Sequence, residues 1–413
     1  MKRRVVVTGL GALTPVGNDV ATTWQSLLAG KSGAGPITKF DAARFDVRFA
    51  AELKGFDASL YMERKEAKRS DLYTQYAVAA SVQAMADAGL KEGMFDPEMC
   101  GVIIGSGIGG LRTFEDQCET YFKSGPGRIS PFFIPMFIGD IAAGVVSMRF
   151  QAKGPNYAVL SACATSAHAI GDALRTIQYG DADIMIAGGA EAAVAPMAIG
   201  GFANMGALSN RNDSPETASR PFDATRNGFV LGEGAGIVIL EEMEHALKRG
   251  AKIYGEVVGY ASTGDAYTLT GQPEAHEGLQ RSMRKALADA KLLPTDVQYV
   301  NAHGTSTPLN DPNESKAIKA VFGEHAFNLS VSSTKSATGH MLGAAGSVEF
   351  IACALAIRDG QVPPTINYQT PDPECDLDYT PNVSRARQVD VAISNSSGFG
   401  GHNVTLALRR FVA

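Results

Sequence analysis

Cys163 stands in the run Val159-Leu160-Ser161-Ala162-Cys163-Ala164-Thr165-Ser166-Ala167-His168, and Ile170, Leu174 and Ile177 follow at helical spacing. The spacing predicts a strand-to-helix turn with the cysteine at the helix start. There, unpaired backbone N–H groups and the positive end of the helix dipole favour thiolate, the form that attacks. Ala162, Ala164 and Ala167 leave room for a sharp turn and for a substrate carbonyl. Taken alone, the same residues would equally suit a structural cysteine packed in a tight turn.

A cysteine nucleophile needs proton-transfer groups, and the second half of the chain offers them. Asn301-Ala302-His303-Gly304-Thr305-Ser306-Thr307-Pro308 follows the strand-like run Val297 to Val300. His303 therefore falls at the C-terminal end of a strand, where α/β sheets build their sites. Ser332-Ser333-Thr334-Lys335-Ser336-Ala337-Thr338-Gly339-His340 puts a lysine and a second histidine in a polar turn ahead of an apolar helix. Near the end, Gly398-Phe399-Gly400-Gly401 sets three glycines around one aromatic, a loop whose N–H groups can approach a ligand closely. It also reads as a tight turn between strands Val389 to Ser394 and Val404 to Leu408.

The elements that must position these residues alternate along the chain. Val102 to Ile104, Ile184 to Ile186 and Ile237 to Leu240 read as further strands with helical segments between them, an α/β pattern. Ala158 to Gly180 and Leu329 to Gly360 share one plan, a short strand, a polar turn and a helix of small residues, which points to an internal duplication. A charged helix over Glu241 to Lys252, stopped by Arg249-Gly250, sets a boundary near residue 253, so the halves are 1–253 and 254–413. Gly105-Ser106-Gly107-Ile108-Gly109-Gly110 matches a dinucleotide-binding fingerprint, but no second strand ending in an acid follows at the required distance.

Composition excludes other classes. The chain has 413 residues, 45% hydrophobic and 19% charged, with net charge −6, so nothing global attracts nucleic acid or anionic lipid. Met341 to Ile357 carries Gly343, Gly346, Ser347 and Glu349 and reads as a buried helix, not a membrane span. Five cysteines with no C-x-x-C pair suggest neither zinc nor disulfides, and no targeting segment is visible. A reducing, cytoplasmic setting follows.

Taken together, the segments at Cys163, His303, Lys335 to His340 and Gly398 to Asn403 resemble β-ketoacyl-acyl-carrier-protein synthases, most closely the synthase II type. The resemblance extends through Arg4 to Gly11, Gly105 to Gly110 and Ser219-Arg220-Pro221-Phe222-Asp223 into Gly228 to Gly236. It implies a thiolase-like fold of two duplicated α-β-α halves in an α/β/α/β/α core, forming a homodimer. It further implies that Cys163 accepts an acyl chain, and that His303 and His340, both neutral, assist decarboxylation of a malonyl thioester and stabilise its enolate. Lys335 would charge-balance the site with Glu349, Asn395 would support it, and the N–H groups of Cys163 and Phe399 would form the oxyanion hole. Thr305, Thr307 and Thr270 would hold the phosphopantetheine arm, and Ile108, Phe202 and Phe399 would line the acyl pocket. The basic run Arg64, Lys65, Lys68 and Arg69 falls at i, i+1, i+4 and i+5, one face if helical. By the resemblance, Lys65, Lys68, Arg69 and Arg128 would dock the acidic acyl carrier protein. No cofactor or catalytic metal is implied, though a structural monovalent cation could sit near Asn301 and Glu349.

Three positions depart from the family pattern. Gly206 replaces an arginine before Ala207-Leu208-Ser209, Thr268 a histidine and Ser397 a phenylalanine. Loss of that aromatic is expected to loosen the Phe399 loop and shift chain-length preference. A polyketide-type synthase and a chain-length-controlling partner subunit are the alternatives; Cys163 argues against the second. A degradative thiolase would carry another reactive cysteine in the glycine loop, which has none.

Overall fold

Ten strands carry the molecule, and the computed structural model describes residues 2–91 and 93–412. The first half supplies β1 (Val5–Leu13), β2 (Cys100–Gly105), β3 (Asn156–Tyr157), β4 (Ile184–Glu191) and β5 (Gly234–Glu242). The second supplies β6 (Gly255–Gly264), β7 (Tyr299–Asn301), β8 (Ser330–Ser332), β9 (Val391–Gly398) and β10 (His402–Arg409). Their spatial order is β8-β7-β9-β10-β6-β1-β5-β4-β2-β3. Outward from the centre, the halves run β1-β5-β4-β2-β3 and β6-β10-β9-β7-β8, one order used twice. Strand sense repeats as well. β5 is antiparallel to β1 and β4, and β2 is parallel to β4 and β3. β10 and β7 make the matching pairings in the second half. The halves join through two pairs, Val6 with Glu256 and Val7 with Gly255.

Five helices set the layers: α1 (Leu72–Asp87), α2 (Thr165–Tyr179), α3 (Glu277–Ala290), α4 (Asn310–Phe322) and α5 (Ala345–Asp359). α1 packs on β1 and β5, while α3 packs on β6 and β10. α2 and α5 touch each other and strands of both halves, so they form a middle layer. This is the thiolase-like α/β/α/β/α arrangement.

That middle position explains the composition of α5. A helix covered on all sides is apolar all round, and only Arg358 and Asp359 at its end escape burial. Small residues let the two central helices approach. A Cβ on Gly346 would sit 2.9 Å from the Ala167 Cβ and 2.9 Å from Ser396 Oγ. A larger residue there would force the layers apart at a cost of about 1–3 kcal/mol.

Two local expectations change. The charged helix runs only from Met243 to Lys248, because Glu241 and Glu242 still belong to β5. Glu241 is buried at the strand's end, where Arg249 and His245 hold its carboxylate. The basic run is helical only over Arg64–Ala67, so its cations do not share one regular face. Lys65, Lys68, Arg69 and Arg128 are nevertheless all exposed, and Arg69 lies 4.4 Å over the Phe132 ring.

Candidate active site

Cys163 sits in a single 3-10 turn, Ala162–Ala164, and α2 begins two residues later at Thr165. Ala162 takes φ +50°, a left-handed conformation that stores strain in a residue other than glycine. Side chains brace the turn. Ser161 N–H donates to Thr165 Oγ1 at 2.9 Å, and Ser161 Oγ meets His168 Nδ1 at 2.7 Å. His168 Nε2 in turn meets Ser262 Oγ at 2.7 Å, tying the turn to β6 of the other half.

The expected depression of the cysteine pKa is reversed. Burial pushes the thiol up to about 12, Lys335 opposes that, and Glu191 and Glu349 add to it. Loss of water outweighs the partial charges of the helix start.

Across the middle layer, β7 delivers His303. The N–H groups of His303 and Gly304 donate to the two oxygens of buried Glu314 on α4, each at 2.8 Å. Lys335 Nζ donates to the His303 carbonyl at 2.6 Å, lies 3.4 Å from His303 Nδ1 and forms an ion pair with Glu349. An ammonium facing Nδ1 makes that nitrogen the acceptor and leaves the ring proton on Nε2. The His303 and His340 rings stand 5.5 Å apart at 86°. Burial, then the charge of Lys335, drives both histidines well below their ordinary pKa, so both are neutral.

A 480 Å³ cavity joins these parts, and Cys163, His303, His340, Phe399, Ile108, Phe202, Thr270, Thr305 and Thr307 all line it. Lys335 and Glu349 lie behind the lining. Asn395 faces elsewhere: its amide approaches Met283 Sδ and Glu314 Oε1, each at 3.5 Å, and its carbonyl accepts from Thr405 at 3.0 Å. The glycine loop presses on the nucleophile turn, since a Cβ on Gly398 would meet Ser161 O at 2.6 Å and Cys163 N at 3.2 Å.

Ser397 is tied into that loop. Its hydroxyl donates to Asn403 Oδ1 at 2.8 Å, and the Asn403 amide donates to Asp265 Oδ1 at 2.6 Å. Backbone bonds from Asp265 N–H to Gly401 O (2.9 Å) and from Gly400 N–H to Leu269 O (2.7 Å) complete the tie. Thr268 Oγ1 accepts from Gly271 N–H at 2.8 Å, and Gly206 ends its helix at φ +70°.

Sequence reasoning missed Glu191, Glu314 and Phe229. Glu191 accepts from Ser106 Oγ and from the N–H groups of Gly107, Ile108 and Gly343, at 2.8 to 3.3 Å. Those bonds explain why Gly105 to Gly110 is no phosphate loop: a carboxylate already occupies its N–H groups. For Glu191, a lone acid at the end of an apolar strand was the available signal, because a buried charge requires such partners. Phe229 packs edge-on against His340 at 5.3 Å and against Phe202 at 5.4 Å.

Beneath the site, Asn301 Oδ1, Glu349 Oε2, Ser394 Oγ and Ser396 Oγ are buried without partners among the described residues. Asn301 and Ser394 are register partners. Four hard oxygens and one carboxylate charge fit a monovalent cation. Among the described residues no group of three His, Cys, Asp or Glu side chains converges to hold a metal.

A duplicated thiolase-like fold that gathers a cysteine and two neutral histidines in one cavity is the arrangement of an acyl-transfer class of protein. The family profiles described as "Beta-ketoacyl synthase, N-terminal domain" and "Beta-ketoacyl synthase, C-terminal domain" match residues 2–246 and 254–369. The chain belongs to the beta-ketoacyl synthase family. It is 55% identical over 410 residues to 3-oxoacyl-[acyl-carrier-protein] synthase 2 of Synechocystis sp., covering 99% of both chains. It is 52% identical to the protein of the same name from Coxiella burnetii, over 99% of each. Among solved structures, a type II polyketide ketosynthase in complex with its acyl-carrier protein matches with TM-score 0.93 and 39% identity over 100% of both chains.

Proposed function

We propose that the chain is an acyltransferase that extends fatty acids by decarboxylating Claisen condensation, with Cys163 as the acyl carrier between two half-reactions. The observation that carries this reading is the shared cavity of Cys163, His303 and His340. In the first half-reaction, Cys163 sulfur attacks an acyl thioester, the new C–S bond replaces the old, and the carrier thiol leaves. With the resting thiol near 12, its proton must depart during attack and pass to the carrier sulfur that leaves. The N–H groups of Cys163 and Phe399 steady the oxyanion.

In the second half-reaction a malonyl thioester enters, carbon dioxide leaves, and the resulting carbanion attacks the acyl-Cys163 carbonyl; the new C–C bond replaces the C–S bond, and the Cys163 sulfur leaves as thiolate and takes up a proton. His303, with its proton on Nε2, and His340 donate to the enolate oxygen as charge develops there. Lys335 holds His303 in that tautomer, and Glu349 balances the lysine. Glu314, with Asn395 behind it, fixes the backbone of His303. Thr270, Thr305 and Thr307 hold the pantetheine arm, while Ile108, Phe202 and Phe399 take the acyl chain. Asn301, Glu349, Ser394 and Ser396 would hold a monovalent cation that offsets buried negative charge; the chemistry asks for no other cofactor.

Lys65, Lys68, Arg69 and Arg128 give an acidic chain a local basic patch suited to an acidic carrier protein. β3 lies at an open sheet edge with Tyr157 and, three residues on, Leu160 exposed, which supports a homodimer built through that edge from halves 1–253 and 254–413. Among the described residues no helix is long and apolar enough to cross a membrane, in keeping with a cytoplasmic enzyme. The 55% identity to a fatty-acid-type relative against 39% to the polyketide ketosynthase supports the fatty-acid reading. The test mixes the protein with acyl- and malonyl-carrier protein and follows carbon dioxide, β-ketoacyl product and intact mass. Absence of an acyl adduct on Cys163 would sink the mechanism.

A further inference from the structure

Gln272 and His276 lie between β6 and α3, and the condensing reading gives neither of them a task. Gln272 Nε2 donates to Asn310 Oδ1 at 2.9 Å, the Asn310 N–H donates to Thr307 Oγ1 at 3.2 Å, and Thr307 Oγ1 meets Thr305 Oγ1 at 2.9 Å. These four residues form a hydrogen-bonded rail in the cavity lining, from buried Thr305 to half-buried Gln272. The rail ends in an acceptor with nothing to accept: Gln272 Oε1 is buried and has no partner among the described residues.

His276 repeats the pattern one turn of chain later. It lines the same cavity, is 0% exposed, and neither ring nitrogen has a hydrogen-bond partner among the described residues. Its Nε2 is 3.8 Å from Asp265 Oδ2, too long for a hydrogen bond. Burial lowers its pKa to about 4, so the ring is neutral and carries one donor and one acceptor. The backbone at Ala275 and His276 is left-handed, φ +50° and +47°. Two such residues in succession cost conformational energy, here spent on burying a ring that the protein leaves unpaired.

An unpaired acceptor and, four residues on in the same cavity lining, an unpaired donor and acceptor are together the complement of a secondary amide. We propose that Gln272 and His276 form an amide-recognising subsite for the arm that presents the acyl thioester, Gln272 at the outer end reading the amide farther from sulfur. The inference rests on the carrier-thioester reading above. Cys163 is acylated by exchange of one C–S bond for another, so a single thioester suffices as probe.

The experiment compares octanoyl-pantetheine, which has both amides, with octanoyl-N-acetylcysteamine, which keeps only the amide next to sulfur. Acylation of Cys163 is timed by intact-protein mass for the parent and for Gln272→Met, a near-isostere without the acceptor. The second-order rate constant for the full arm should fall about tenfold, the worth of one hydrogen bond, and the loss should be at least threefold larger than on the truncated arm. His276→Asn, which tolerates the left-handed backbone, should lose in the same direction, guarding against a single misfolded variant. Equal losses on both thioesters overturn the subsite and leave the condensing reading intact. A parent that accepts octanoyl from neither overturns both.

Discussion

The two halves build the same turn and fill it differently. In the first, Ala162–Ala164 makes a 3-10 turn with Ala162 at φ +50° and leads into the fifteen residues of α2. In the second, Leu342–Ala344 makes the same turn with Leu342 at φ +44° and leads into the fifteen residues of α5. The middle residue is Cys163 in one and Gly343 in the other. The strand ends opposite them differ as well: β4 ends in Glu191 and β9 in Gly398. The Gly343 N–H donates to the Glu191 carboxyl at 3.0 Å, so that turn is filled by a side chain of the protein's own. Gly398 has no side chain to place on Cys163, whose N–H finds no protein acceptor among the described residues. Duplication thus supplies two like turns; one is closed from within, and the N–H of the other has no protein acceptor among the described residues.

The largest break in that comparison is Cys163→Ala, which makes the open turn resemble the closed one chemically. Product formation should fall by about 10⁴-fold or more, and the acyl adduct should vanish from the intact mass. Next come His303→Ala and His340→Ala, which leave the turn alone and remove the groups facing it. Carbon dioxide release should drop by roughly 10²–10⁴-fold while Cys163 acylation falls much less. Equal loss in both half-reactions would contradict the division of labour.

The closed turn is tested through stability. Burial raises Glu191 from 4.5 to about 7, so the native state binds its proton more tightly than the unfolded chain. Its contribution is therefore largest below about pH 4.5 and is lost as pH rises toward 7. Glu191→Gln cannot ionise, and its stability relative to the parent should rise across that window by up to about 3 kcal/mol. Urea unfolding of both proteins from pH 4.5 to 8 measures the slope; parallel curves would refute a buried, titrating Glu191.

Much of this was legible before the structure. Cys163, His303, Lys335, His340 and the glycine loop announce themselves because reactive side chains among small residues leave few structural uses. The duplication was visible in the plan shared by Ala158 to Gly180 and Leu329 to Gly360. The thiol's pKa was not, because a helix start is local while burial depends on every layer packed around it. Glu191 was hidden for the same reason, since its partners lie 83 to 152 residues away. The tie through Ser397 and Asn403 needed the hairpin register that sets them opposite each other.

That tie gives the smallest expected effect and separates packing from hydrogen bonding at the open turn. Ser397 Oγ holds Asn403, and Asn403 holds Asp265, so the chain of bonds joins the Phe399 loop to the segment after β6. Ser397→Ala removes one buried bond and leaves Asn403 Oδ1 short of a donor, which should lower stability by about 1 kcal/mol. Ser397→Phe also removes the bond but adds a ring to the cavity lining. If the bond sets the loop, both variants should shift the relative rates across acyl lengths in the same direction, by about two- to fivefold. If space sets it, only Ser397→Phe should disfavour the longer chains. Competition between hexanoyl and dodecanoyl thioesters for Cys163, read by adduct mass, distinguishes the two.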